Sequence, residues 1–235
     1  MIHSIRTIFF SLALLAAGAG TSWGQDFDKG LAAAQSGDFA TAFREFRPLA
    51  EKGNVYAQEV LGFMYDYGKG VPQDYEEAVK WYRLAAEQGH ANAQYNLGVM
   101  YYYGKGVPQD DKEAMKWYRL AAEQGFANAQ FNLGNMYAHG RGVPQDYKEA
   151  LKWWRPAAEQ GVAEAQFNLG LMYRQGEGVP QDYIRAHMWW NLAAAVGYDS
   201  AGENRDNIAK KMTNAQIEKA QTLAQECLRN KYKGC

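Results

Sequence analysis

Cysteine, serine and surplus basic charge are all scarce in this chain of 235 residues. Beyond residue 24 the only serines are Ser36 and Ser200, and neither lies in a Ser-x-x-Lys or Gly-x-Ser-x-Gly motif, so no serine nucleophile is indicated. Lysine and arginine total 25 against 26 acidic residues, which disfavours a nucleic-acid partner. His90, His139 and His187 form no His-x-x-x-His pair and have no cysteine nearby, so neither a metal nor a cofactor is expected.

Long apolar runs are missing from the body of the chain, and the single one lies at its start. Arg6 precedes an apolar stretch of about 12 residues, which is too short for a stable membrane span, and small residues follow. This layout predicts a signal peptide over residues 1–24 that is cleaved before Gln25. Ala17 and Ala19 mark the second choice of cleavage site. The mature protein is then expected in the periplasm or secreted, with no membrane span.

What the chain does contain is a repeat. The string Gly-Val-Pro-Gln-Asp begins at Gly70, Gly106, Gly142 and Gly178, a spacing of 36 residues. Such a period is typical of a solenoid, whose units bury their apolar faces against their neighbours. The positions that recur in register with this string are Leu61, Leu97, Leu133 and Leu169; Gly62, Gly98, Gly134 and Gly170; Trp81, Trp117, Trp153 and Trp189; and Gly89, Gly125, Gly161 and Gly197.

Each repeat is expected to form two helices. In the second copy the apolar spacing predicts helix A over residues 91–103, ended by Gly104. Asp110, with Glu113 three residues later, is a capping pattern for the start of helix B. We expect Gly98 to let the two helices approach closely and Trp117 to fill the space between them.

The ends of the array depart from its period. Residues 25–53 match a shorter hairpin that starts near Phe27 and caps the array, four repeats follow over 54–197, and residues 198–235 predict capping helices. One of these is expected near Ser200 to Met212 and the other after Thr213, where Thr213 and Gln216 form a capping box. The whole chain is therefore expected to be all-α.

The two cysteines, Cys227 and Cys235, both lie near the C-terminus. In an exported chain such a pair favours a disulfide, which requires the helix to end early and residues 230–234 to fold back. Free thiols on a frayed tail are the alternative.

The repeat carries a family resemblance. The pattern Ala93-x-x-x-Leu97-Gly98-x-x-Tyr101-x-x-Gly104-x-Gly106-Val107, continued by Trp117 and Ala121-Ala122, resembles the Sel1-like repeat, a relative of the tetratricopeptide repeat. The resemblance implies a right-handed superhelical solenoid of antiparallel helix pairs that serves as an adaptor for proteins or peptides. Some cysteine-rich secreted members are associated with penicillin binding or weak hydrolysis, but no repeat of this chain contains a cysteine.

The copies can be compared to find candidate binding residues. In the geometry that the resemblance implies, one face of helix A lines a concave groove. Positions that recur on it, such as Asn96, Asn132 and Asn168, are expected to be structural, with the asparagines bonding between neighbouring units. Positions that vary are candidates for a partner, and their replacement is expected to leave the fold unchanged. They are Asn92, Asn128 and Glu164; Val99, Asn135 and Leu171; Tyr102 and Arg174; and Tyr103, His139 and Gln175.

These observations favour an exported, non-catalytic scaffold that binds a protein or peptide through the solenoid groove. One alternative is a cell-envelope hydrolase acting on β-lactam or peptidoglycan-like substrates, and another is a secreted effector that binds a host protein. For any single candidate residue, the alternative is that it belongs to an ordinary solvated face of the solenoid and that the partner binds elsewhere.

Overall fold

The structure, a computed structural model, describes residues 22–235, with side chains from Asp26 onward. The predicted signal peptide therefore lies almost entirely outside the described residues. Within them the chain is helical and contains no strand. The twelve helices are α1 (Ser22–Ser36), α2 (Phe39–Glu51), α3 (Val55–Tyr67), α4 (Tyr75–Glu87), α5 (Ala91–Tyr103), α6 (Asp111–Glu123), α7 (Ala127–His139), α8 (Tyr147–Ala158), α9 (Ala163–Gln175), α10 (Tyr183–Ala195), α11 (Asp199–Ala209) and α12 (Asn214–Arg229).

The helices fall into two compact units, one ending at Ala114 and the other spanning Met115–Cys235. In unit 1 the four successive pairs from α1·α2 to α4·α5 pack against each other. In unit 2 successive helices from α7 to α11 do the same, and α12 packs on α10. The repeated leucines Leu61, Leu97, Leu133 and Leu169 are all fully buried.

The helix ends follow from local chemistry. Helix α5 runs over Ala91–Tyr103 as predicted, and Gly104 ends it in the left-handed conformation at φ 67°. Asp74 caps α4, accepting the backbone N–H groups of Glu76 and Glu77. The Glu77 carboxylate pairs with Lys80 at 2.5 Å. The acidic residue of the capping pattern thus supports the first turn through an i,i+3 ion pair.

In the third and fourth repeats the close approach between the two helices involves an aromatic residue other than the recurring tryptophan. A Cβ added to Gly134 would lie 2.4 Å from the Trp154 ring, and one on Gly170 would lie 2.4 Å from the Trp190 ring. In both copies the residue facing the glycine follows the recurring tryptophan by one position. Trp117, expected to fill such a space, is buried with 8% of its surface exposed.

Both ends of the array form the helices expected there, with shifted boundaries. Helix α1 begins at Ser22 rather than near Phe27, and α11 ends at Ala209 rather than near Met212. Thr213 and Gln216 form the capping box of α12. After α12, Lys231 and Tyr232 adopt positive φ and turn the tail back, which places the Cα atoms of Cys227 and Cys235 5.5 Å apart and joins them in a disulfide.

None of the helices in residues 22–235 combines the length and apolar character that crossing a bilayer requires.

Candidate functional site

The variable positions chosen from the repeat comparison lie on three equivalent helices. Asn92, Val99, Tyr102 and Tyr103 belong to α5 in unit 1. The other seven belong to unit 2: Asn128, Asn135 and His139 on α7, and Glu164, Leu171, Arg174 and Gln175 on α9.

In unit 1 these positions present aromatic surface. The Tyr103 side chain is 64% exposed, and its ring centre lies 4.9 Å from that of Tyr102 in an edge-to-face arrangement. The first copy of the repeat, which the sequence comparison passed over, adds Tyr67 at 56% exposure and Asp66, the counterpart of Tyr102. The 36-residue register alone could have identified both.

Asp66 has an unusual environment in this aromatic surface. Burial raises the pKa of its carboxyl above the ordinary value, while the Lys105 ammonium and the Tyr82 hydroxyl act in the opposite direction. Burial likewise raises the pKa of Tyr82 well above its usual range, so this hydroxyl stays protonated and donates a hydrogen bond to the Asp66 carboxylate.

In unit 2 the structure brings three of the predicted residues into one cleft. His139 at the end of α7 and Leu171 and Gln175 on α9 line an open cavity of about 210 Å³. Tyr147 and Glu177 lie in its wall as well. The remaining lining residues are Ala138, Gln145, Trp154, Asn168 and Met172.

The loop between α7 and α8 positions the wall of this cleft. Gln145 donates its side-chain amide to the Ala138 carbonyl at 2.6 Å and to the Tyr147 hydroxyl at 3.1 Å. Asp146 caps α8 by accepting the N–H groups of Lys148 and Glu149. The Gln-Asp pair of the repeated string therefore fixes where α8 starts and where the Tyr147 ring lies.

Asn135 is bonded within the fold instead of being free for a partner. Its side-chain oxygen accepts the Trp154 indole N–H at 3.1 Å and the Asn168 amide at 3.3 Å. Replacing Asn135 would remove the acceptor of the Asn168 amide and one of the two acceptors of the Trp154 indole N–H, which also donates to the Phe131 carbonyl at 3.2 Å. The expectation that this replacement would leave the fold unchanged is therefore wrong. The Asn168 bond joins neighbouring repeats, as the recurring asparagines were expected to do.

Three further candidates lie outside the lining of the cleft within the described residues. Asn128 and Glu164 are exposed near the starts of α7 and α9. Arg174 contacts the Asn204 side chain at 3.5 Å on α11. Among the eleven candidates, then, the cleft gathers His139, Leu171 and Gln175.

The side chains that line the cleft supply hydrogen-bonding and apolar groups. The Nδ1 of His139 lies 2.8 Å from the Asn135 carbonyl oxygen, which can only accept, so Nδ1 donates this hydrogen bond and Nε2 is left for other contacts. Among the described residues that line the cleft there is no serine, cysteine or lysine nucleophile. In residues 26–235 no group of three or more metal-ligating side chains comes together.

A buried glutamine ladder was missed by the sequence argument. The amide groups of Gln58, Gln94, Gln130 and Gln166 each donate at 3.1 Å to a carbonyl near the end of the preceding helix B. Gln88 donates in turn to Gln58 at 2.6 Å, and Gln160 to Gln130 at 2.9 Å. These glutamines recur every 36 residues, so their spacing was the available signal.

The comparisons with known proteins agree with this architecture. The model of the Sel1 repeat matches residues 55–90, 91–126, 127–162 and 163–198. The structure is similar to that of a protective antigen from uropathogenic Escherichia coli that displays the SLR fold, with 38% identity and a TM-score of 0.80. The match covers 91% of this chain but 47% of the antigen, so the chain spans about half the length of that relative.

A Sel1 repeat protein from Oxalobacter formigenes is similar over nearly its whole length. It is 35% identical, with a TM-score of 0.72, and the match covers 88% of this chain and 83% of that one. A search of curated proteins found no match. Four consecutive repeats and a relative of this identity and coverage establish that the chain belongs to the Sel1 repeat family.

Proposed function

We propose that the chain is an exported, non-catalytic scaffold that holds a protein or peptide partner at the variable positions of its A helices. In unit 2 the contact surface is the cleft of His139, Leu171 and Gln175. One observation carries the proposal: three positions at which the copies differ, His139, Leu171 and Gln175, come together in the cleft, whereas the recurring leucines and glutamines are used in the core and the ladder. Solenoids of this family typically mediate protein interactions.

The composition of the two surfaces suits an extended segment. In the cleft, Leu171 offers apolar contact, while Gln175 and the Nε2 of His139 offer hydrogen bonds to a backbone. In unit 1, the exposed rings of Tyr67 and Tyr103 are of the type that anchors interfaces. Binding of an extended segment at either surface requires no chemically reactive side chain.

Export is supported by the charged and apolar start of the sequence and by the Cys227–Cys235 disulfide, which favours an oxidising compartment. N-terminal sequencing of protein recovered from the cell envelope or medium should begin at Gln25 or close to it. An intact Met1 on such protein would rule out processing.

The binding proposal is tested with peptides displayed on phage and selected on the purified mature protein. The variant His139→Ala, Leu171→Ala, Gln175→Ala should bind the selected peptides at least about tenfold more weakly, since interface anchors commonly contribute about 1 kcal/mol or more each. Lys80→Glu, at an exposed position on α4 in unit 1, is the control and should bind normally. Equal binding by the triple variant, with an unchanged melting temperature, would remove the cleft from the binding site.

The hydrolase alternative predicts turnover. Purified protein incubated with nitrocefin should show no hydrolysis above the uncatalysed rate. Activity that co-purifies with the protein and survives replacement of Ser36 and Ser200 would contradict the scaffold proposal.

A further inference from the structure

Each helix A is followed by a Gly-x-Gly loop, and in unit 1 the residue between the two glycines is a lysine that contacts an aromatic ring. The Nζ atom of Lys69 lies 5.6 Å from the ring centre of Phe39, and that of Lys105 lies 5.3 Å from the ring centre of Tyr75. Phe39 and Tyr75 are the first residues of α2 and α4. In both copies the chain thus places its own ammonium group over the aromatic ring that begins the preceding helix B, a favourable cation–π arrangement.

The last copy keeps the ring but reverses the charge. Tyr147, the first residue of α8, stands 72 residues after Tyr75, and Glu177 stands 72 residues after Lys105. The chain therefore supplies a carboxylate from the loop position that supplies an ammonium in unit 1. Tyr147 and Glu177 both line the unit 2 cleft.

The remaining wall of the cleft suits a long cationic side chain. Leu171 offers apolar surface along which the methylene stem of such a side chain can lie. The Gln145 side-chain amide donates to the Tyr147 hydroxyl and so fixes the position of this tyrosine in the cleft wall. A carboxylate beside an aromatic face attracts a cation through both charge and ring quadrupole.

We propose that the unit 2 cleft recognises a lysine or arginine side chain of the partner, with its charged group over the Tyr147 ring and against the Glu177 carboxylate. The partner's cation takes the place that Lys69 and Lys105 take in unit 1. This inference rests on the proposed function and specifies the chemistry of the bound segment.

The test uses random twelve-residue peptides displayed on phage, selected on the full mature protein and then titrated as synthetic peptides by calorimetry. Selected peptides should share a basic residue, and replacing it by glutamine should weaken binding at least tenfold. Glu177→Lys, which installs the residue of the first two copies, should weaken binding at least thirtyfold, and Glu177→Gln about tenfold. Tyr147→Phe should bind normally, because Phe39 fills this role in the first copy, whereas Tyr147→Leu should not.

The matched control is Glu218→Lys, which makes the same change of charge at an exposed position on α12. It should leave the affinity within twofold, and the Glu177 variants should keep the melting temperature of the parent. Selected peptides without a shared basic residue, or binding unaffected by Glu177→Lys, would overturn this inference. The proposed function would survive that result if the triple variant in the cleft still loses affinity, whereas a selection that yields no binding peptide would overturn both.

Discussion

Replacing Gly170 by alanine tests the packing that joins the two helices of a repeat. Gly170 lies in the middle of α9, and an added Cβ would meet the Trp190 ring at 2.4 to 2.7 Å. Trp190 is fully buried and donates its indole N–H to the Phe167 carbonyl at 3.1 Å. The ring therefore cannot move toward solvent without losing both contact area and this hydrogen bond.

The expected cost follows from three effects. Overpacking of a close-packed core typically costs about 1 to 3 kcal/mol. Loss or distortion of the indole hydrogen bond adds about 1 kcal/mol, and the better helix propensity of alanine returns about the same amount. Gly170→Ala should therefore lower the free energy of unfolding by about 1 to 3 kcal/mol.

Gly202 provides the matched control. It lies inside α11, where an added Cβ would have its nearest neighbour, the Cβ of Ala194, at 3.9 Å. Gly202→Ala should be neutral or stabilise the protein by up to about 1 kcal/mol through helix propensity alone. Urea unfolding followed by circular dichroism and tryptophan fluorescence measures both variants. If Gly170→Ala stabilises the protein as much as Gly202→Ala does, the close-approach argument is refuted.

Three further predictions concern stability. Burial and the nearby Arg205 guanidinium lower the pKa of His187 below 6.5, so the neutral ring stabilises the fold fully above that pH and its contribution falls as the pH drops through it. Thermal unfolding at pH 5 and 7.5 should show this loss, and His187→Met should abolish it. The buried side-chain oxygen of Gln166 has no hydrogen-bond donor, because Val196 stands at the position where the other repeats carry glutamine. Val196→Gln should therefore raise the free energy of unfolding by about 0.5 to 1.5 kcal/mol in urea titrations. Leu97→Ala should cost about 2 to 5 kcal/mol in the same assay, and a change below about 0.5 kcal/mol would contradict its place in the core.

The repeat made the helices predictable. Because the same apolar spacing and the same glycine recur, α5 could be placed over residues 91–103 with its end at Gly104. Where the period stops, only local capping chemistry remained, and the start of α1 was misplaced by five residues. Spacing also could not decide which of two adjacent aromatic residues, Trp153 or Trp154, faces Gly134, since neighbours on a helix differ by only about 100°.

The candidate site was predicted less completely. Comparison of the copies identified His139, Leu171 and Gln175, and the structure brings them together. Comparison of the copies could not distinguish a position that varies because it contacts a partner from one that varies because it makes a hydrogen bond found in only one repeat. Asn135 is of the second kind, since its acceptor role depends on the indole N–H of Trp154, which only the packed structure places within reach.

Chemical-shift mapping of a selected peptide on isotopically labelled protein tests the central claim most directly. Binding in the unit 2 cleft predicts that the backbone amides of His139, Leu171, Gln175 and Glu177 and the indole N–H of Trp154 shift on titration, while the amides of Lys80 and Leu84, two exposed residues of α4, do not. Shifts confined to Lys80 and Leu84, with the cleft signals unchanged, would contradict it.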